Sequence, residues 1–131
     1  MPRPTPPPSQ LAENAAEAVR ALNHATLEPA AYPYPSEVDA TVQALITLAG
    51  RLPQAIVQSD AALAALDTAG RLRLDAMTDS PSLEHHLAAV HQATDHAQRA
   101  AEDLTAALKR LGSLTSHLAW DDTEQATGAS G

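Results

Sequence analysis

Apolar positions recur along two long stretches of the chain in alternating steps of four and three. The first stretch is Val38, Val42, Leu45, Ala49, Leu52, Ile56, Ser59, Leu63 and Leu66. The second is Leu83, Leu87, Val90, Thr94, Ala97, Ala101, Leu104, Leu108, Leu111, Thr115 and Leu118. This alternation is the heptad signature, which keeps one stripe of an α-helix turned towards a partner helix. It predicts helices over 36–71 and 82–119. A weaker stripe of Leu11, Ala15, Ala18, Val19 and Leu22 predicts a first helix over 10–25. Ala dominates that stripe, so little area is available to hold the helix down.

The breaks between these stretches have their own chemistry. Ser9 and Ser36 are the expected N-caps of the first and second helices, and Ser80 or Ser82 that of the third. With Ser80 as the cap, Pro81 takes the first turn, where its missing N–H costs nothing. Glu37 and Asp39 open the second helix, where acids suit the helix dipole. Residues 26–36, TLEPAAYPYPS, form a connector in which the prolines argue for extended backbone. Gly70 and the segment that follows it supply the turn between the long helices.

Pro53 falls inside the second helix and removes one backbone donor. The heptad phase runs through it unshifted, which predicts one continuous, kinked helix. Two abutting helices meeting at Gly50–Leu52 are the alternative. Gly112 is tolerated in the third helix at about 1 kcal/mol relative to Ala and is expected to mark a bend.

Two long helices with a short connector pack as antiparallel neighbours. A turn near 72–80 opposes residues whose numbers sum to about 153. Arg51 then falls opposite Glu102 and Asp103, and Asp67 opposite His86. The fold class expected is all-α, an elongated three-helix bundle on a long antiparallel, coiled-coil-like hairpin. A Pro-rich leader, 1–8, precedes a single helical domain, 9–120. A polar tail, 121–131, follows it. Leader and tail are both expected to be disordered.

Composition narrows the energetics. The 131 residues contain no Phe, one Trp and two Tyr, so Leu, Ala, Val and Ile must supply nearly all burial. Small side chains bring helix axes close but remove little area. Apolar flanks are therefore left over, among them Ile46, Leu48, Val57 and Leu114. With Tyr32, Tyr34 and Trp120 these are the candidate partner contacts. For the aromatic three, covering an end of the bundle is the simpler role.

Charge and motifs exclude more than they identify. The net charge is -8, and the bases are scattered, so no basic stripe suits nucleic acid. Arg71 and Arg73, at the hairpin tip, are read as cations near a helix C-terminus. No two of the six histidines stand three or four apart on a helix, and no Glu-x-x-His is present. His91 and Asp95, four apart, have the spacing for a two-ligand start. No metal, cofactor, small-molecule substrate or catalytic residue is expected, and the chain is read as a non-enzyme. Cys is absent, which removes disulfides and thiol chemistry.

No apolar run approaches the roughly 18 residues of a membrane span. The N-terminus lacks the apolar core of a secretory signal, so the cytoplasm is the expected location. A single Lys against many Arg, with abundant Ala, suggests a high-GC genome such as an actinobacterium's. Acidic, Ala-rich hairpins of this size distantly resemble the WXG100 class, which implies a small exported hairpin as an alternative. The Trp-x-Gly of that class is missing from 72–80. Its Tyr-x-x-x-Asp/Glu has a counterpart only in Trp120-Asp-Asp-Thr-Glu124. The first expectation is a non-catalytic protein–protein interaction protein that binds a protein partner or itself. A further alternative is an accessory factor of a DNA-handling system that acts through such a partner.

Overall fold

The computed structural model describes residues 3–122 and is all-helical among them. Its elements are α1 (Pro8–Ala25), a single 3₁₀ turn (Pro29–Ala31), α2 (Pro35–Thr68) and α3 (Leu83–Thr115). The chain divides into two units. One comprises the residues up to Glu37 with those from Ala119, and the other is Val38–Leu118. The tail expected beyond Asp122 and the first two residues of the leader lie outside the described residues.

In the first unit, α1 starts earlier than the Ser9 cap implies. Pro8 takes the first helical position, and the Pro7 carbonyl accepts from Gln10 and Leu11. Proline is preorganised for that place, because its φ is already helical and its N–H would be unused. No residue of α1 is buried. Leu11 remains exposed and only Val19 and Leu22 of the stripe are half-buried. The connector is not wholly extended. Pro29 opens the 3₁₀ turn for the same reason that Pro8 opens α1, and Tyr32 returns to extended backbone.

The second unit is the helical hairpin. Ser36 does not cap α2, since the helix already includes Pro35 and the Glu37 N–H bonds to the Tyr34 carbonyl. The helix runs unbroken for 34 residues with Pro53 inside it. It ends at Thr68, short of 71, where the Gly70 N–H bonds to the Asp67 carbonyl and the Arg71 N–H to the Leu66 carbonyl. Gly70 has φ +70°. Those two bonds and that φ form a Schellman cap, which satisfies two carbonyls the helix leaves unpaired. A turn around Asp75 follows, in which its Oδ1 accepts from the Met77 N–H at 3.1 Å and the Thr78 hydroxyl at 2.5 Å. The Thr78 bond first, then that of Met77, holds the Asp75 carboxyl below its ordinary value. Ser82 caps α3, its hydroxyl accepting from the His85 N–H at 3.0 Å. That places Pro81 outside the first turn. α3 ends at Thr115, so the expected extension to 119 is not made.

The two helices are antiparallel, close to the expected register. Asp39 meets Thr115, Val42 and Ile46 meet Gly112, Gly50 meets Thr105, and Asp60 meets His91. The charge pairs drawn from that register do not close. Among the described residues the hairpin has one ion pair, between Asp60 and His91.

Burial departs from the strict heptad. On α2 the more buried positions run Val38, Val42, Leu45, Ala49 and then Pro53, Ile56, Asp60, Leu63. On α3 they run Leu83, Leu87, Val90, Thr94 and then Gln98, Ala101, Thr105, Leu108, Gly112, Thr115. Past the middle of each helix alternate seam positions move forward by one residue, beginning with Pro53 on α2 and Gln98 on α3, while Ile56, Leu63, Ala101, Leu108 and Thr115 keep their heptad places. An unsupercoiled helix turns about 100° per residue, so seven residues fall about 20° short of two turns. The seam therefore migrates unless the helices wind around each other.

The buried apolar residues are Val42, Ala49 and Ala101. Gly112 is buried too, and a Cβ built there would lie 2.7 Å from Ile46 Cδ1 and 2.9 Å from Gln43 Nε2. This glycine marks a close helix crossing, which supplies a packing reason for it. Ile46 is correspondingly half-buried at the crossing and is not a free flank.

Candidate interaction face

The side-chain hydrogen bonds that cross the hairpin among the described residues lie on one side of its buried seam. Ile46 and Gly50 on α2, with Thr105 and Gly112 on α3, lie on that side. So do Asp60 and His91, whose Oδ2 and Nδ1 are 2.6 Å apart. Gln43 Nε2 reaches the Gly112 carbonyl at 3.5 Å, and the Thr115 hydroxyl donates to Asp39 at 2.7 Å. Polar groups thus occupy this side, and half-buried Asp60, Gln98 and Thr105 draw the seam towards it.

The His91 pair is the one electrostatic device here. Its hydrogen bond to Asp60, then the charges of Asp60 and Asp95, favour the protonated ring and raise the His91 pKa above its ordinary value. His91 is largely exposed, so the pair latches the two helices only weakly. Among the described residues no group of three or more candidate ligands is placed to hold a metal ion.

The other side follows from the same migration. Leu52, Leu104 and Leu111 each precede a seam residue, Pro53, Thr105 and Gly112, by one position, or about 100° of helix. In antiparallel helices, stepping back by one residue from a shared side turns both helices to the same opposite side. There they form one surface with Leu48, Leu66 and Leu114. These six leucines are between 37% and 70% exposed, although the heptad pattern assigns four of them to the seam. The residues between them are small: Ala55, Ser59 and Ala62 on α2, and Ala97, Ala100 and Ala107 on α3.

The expected contact residues separate accordingly. Leu48 and Leu114 belong to this leucine face. Val57 is exposed but lies on the polar side, in phase with Gly50 seven residues earlier. Tyr34 and Trp120 meet in the first unit, edge to face, with ring centroids 5.2 Å apart and planes at 74°. Trp120 lies beyond the end of α3, and both rings stay more than half exposed. Tyr32 is half-buried. Leu52, Leu66, Leu104 and Leu111 are the face residues that the heptad pattern misassigns, and Leu118 lies exposed beyond the end of α3. A signal was present in their successors, since Pro53, Thr105 and Gly112 suit a crowded or polar contact better than open solvent.

Near the turn, Leu63, Leu72, Leu74, Leu83, Leu87 and Val90 line a shallow hollow with Asp75 and His86 at its edge. It is an apolar seal between the connector and the helices. Among the described residues no helix is long and apolar enough to cross a membrane. No family model, curated protein or solved structure matches the chain.

Proposed function

We propose that this chain is a non-catalytic interaction protein that acts in the cytoplasm and binds through the leucine face of its hairpin. The observation that carries the reading is the sidedness of the exposed leucines. Scattered surface leucines are ordinary, but six on one side of two adjacent helices, with alanines between them, make an apolar surface of the kind used for protein contact. The four-residue step from Leu48 to Leu52 and the three-residue step from Leu111 to Leu114 suit an approaching helix, which docks through such rows. The polar side carries the hairpin's own hydrogen bonds, so the leucine face is the one left to a partner.

The test is affinity capture from the native host with immobilised full-length protein, beside a Leu104→Glu, Leu111→Glu variant. Both substitutions are at exposed positions. The expected result is a specific protein, this chain included, recovered in stoichiometric amount by the wild type and lost by the variant. Identical recovery by both proteins would remove the leucine face from the reading.

A further inference from the structure

We propose that the occupant of the leucine face is a second copy of this chain, stacked face to face about a twofold axis that runs along the hairpin. This rests on the interaction reading and gives it a partner. The product is a four-helix bundle in which α2 of each copy lies over α3 of the other at the same level.

Size along the face is self-complementary under that axis. Towards the open end of the hairpin α3 carries Leu111 and Leu114, while α2 at that level presents Thr41 and Ala44. Towards the turn the order reverses. There α2 carries Leu66 while α3 presents Ala93, Ala97 and Ala100, and at mid-length Leu48 and Leu52 of α2 lie on either side of the level of Leu104 on α3. Laying α2 over the other copy's α3 brings Leu111, Leu114 and Leu66 against small residues and sets Leu104 between the other copy's Leu48 and Leu52. Bulk then fills space instead of meeting bulk, as close packing requires.

Charge agrees. A chain of net charge -8 resists self-association unless its acids point away from the contact. Asp39, Asp60, Asp67, Asp95 and Glu102 belong to the polar side. On the outer rim of the leucine face stand Arg51 and Asp103, one on each helix at the same level, and neither is in an ion pair among the described residues. The twofold axis sets Arg51 of each copy beside Asp103 of the other, giving two reciprocal pairs. The face extends over some 26 residue levels, about 39 Å, and two helices at a spacing of about 9 Å make it roughly 18 Å wide. That is about 700 Å² per copy, within the range of a standard stable interface.

Sedimentation equilibrium on the purified full-length chain tests this across the micromolar range. The expected mass is twice 13.7 kDa. The Leu104→Glu, Leu111→Glu variant is expected to self-associate about a hundredfold more weakly. Arg51→Asp alone should weaken association by about tenfold, and adding Asp103→Arg should restore it. A wild type that sediments at 13.7 kDa throughout would overturn the proposal. If that monomer still captures another protein through the leucine face, only the second-copy assignment falls. If it captures none, the interaction reading falls with it. Should the leucine variant lose its helical circular dichroism, the charge reversals decide: a dimer indifferent to Arg51→Asp refutes this arrangement.

Discussion

Two glycines inside the long helices ought to respond unequally to the same change. Gly50 in α2 and Gly112 in α3 both pay the entropy of ordering a residue without a side chain, so alanine at either gains about 1 kcal/mol of helix propensity. Their surroundings differ. A Cβ at Gly50 would have Thr105 Cγ2 at 3.8 Å as its nearest neighbour, an ordinary contact. At Gly112 it would meet Ile46 Cδ1 at 2.7 Å and Gln43 Nε2 at 2.9 Å, both closer than atoms tolerate. Both atoms are the far ends of flexible side chains, so turning Ile46 and Gln43 aside relieves the overlap at about 0.5–1.5 kcal/mol. Turning Gln43 also breaks its bond to the Gly112 carbonyl.

Gly50→Ala should therefore stabilise by about 1 kcal/mol, and Gly112→Ala should leave stability unchanged or lower it by up to about 1 kcal/mol. The propensity gain is common to both, so the difference between the variants isolates the steric cost. Urea denaturation followed at 222 nm measures it, with all three proteins at one concentration so that any association contributes equally. Equal stabilisation by both alanines would refute the close crossing at Gly112.

Two further outcomes follow from the ends and the latch of the hairpin. Gly70→Ala places a Cβ where nothing lies within 4 Å but φ is +70°. The loss should then be purely conformational, about 1 kcal/mol, and Gly70→Asn should recover part of it because Asn tolerates the left-handed region; no loss in a thermal melt would count against the Schellman cap. His91 has a raised pKa in the folded chain, so its protonation favours folding. That contribution is complete below the unfolded value of about 6.5 and disappears as the pH climbs through the raised folded value. A melt series across that window should show wild-type stability falling with pH, and His91→Gln should flatten that slope; an unchanged slope would mean that the Asp60 contact does not persist in solution.

Period, punctuation and composition made the architecture legible in the chain itself. Alternating three- and four-residue steps set two long helices, and a connector too short for anything else made them antiparallel near the right register. Gly70 and Ser82 marked the turn because each does a local job, one in the left-handed region and the other capping by hydroxyl. Pro8, Pro29 and Pro35 were read only as breakers, although proline also begins helices. Local rules cannot choose between those roles without knowing where the first intrahelical bond forms.

What only the tertiary structure decided is which way each long helix is turned. A heptad written along a sequence assumes a supercoil, whereas a helix near 3.6 residues per turn lets its buried stripe drift. The drift moved Pro53, Thr105 and Gly112 into the contact and moved Leu52, Leu104 and Leu111 out of it. A stripe is a property of one helix, but its orientation is a property of the pair. The leucine face therefore emerged only once the crossing at Gly112 and the Asp60–His91 contact showed which side the hairpin keeps for itself.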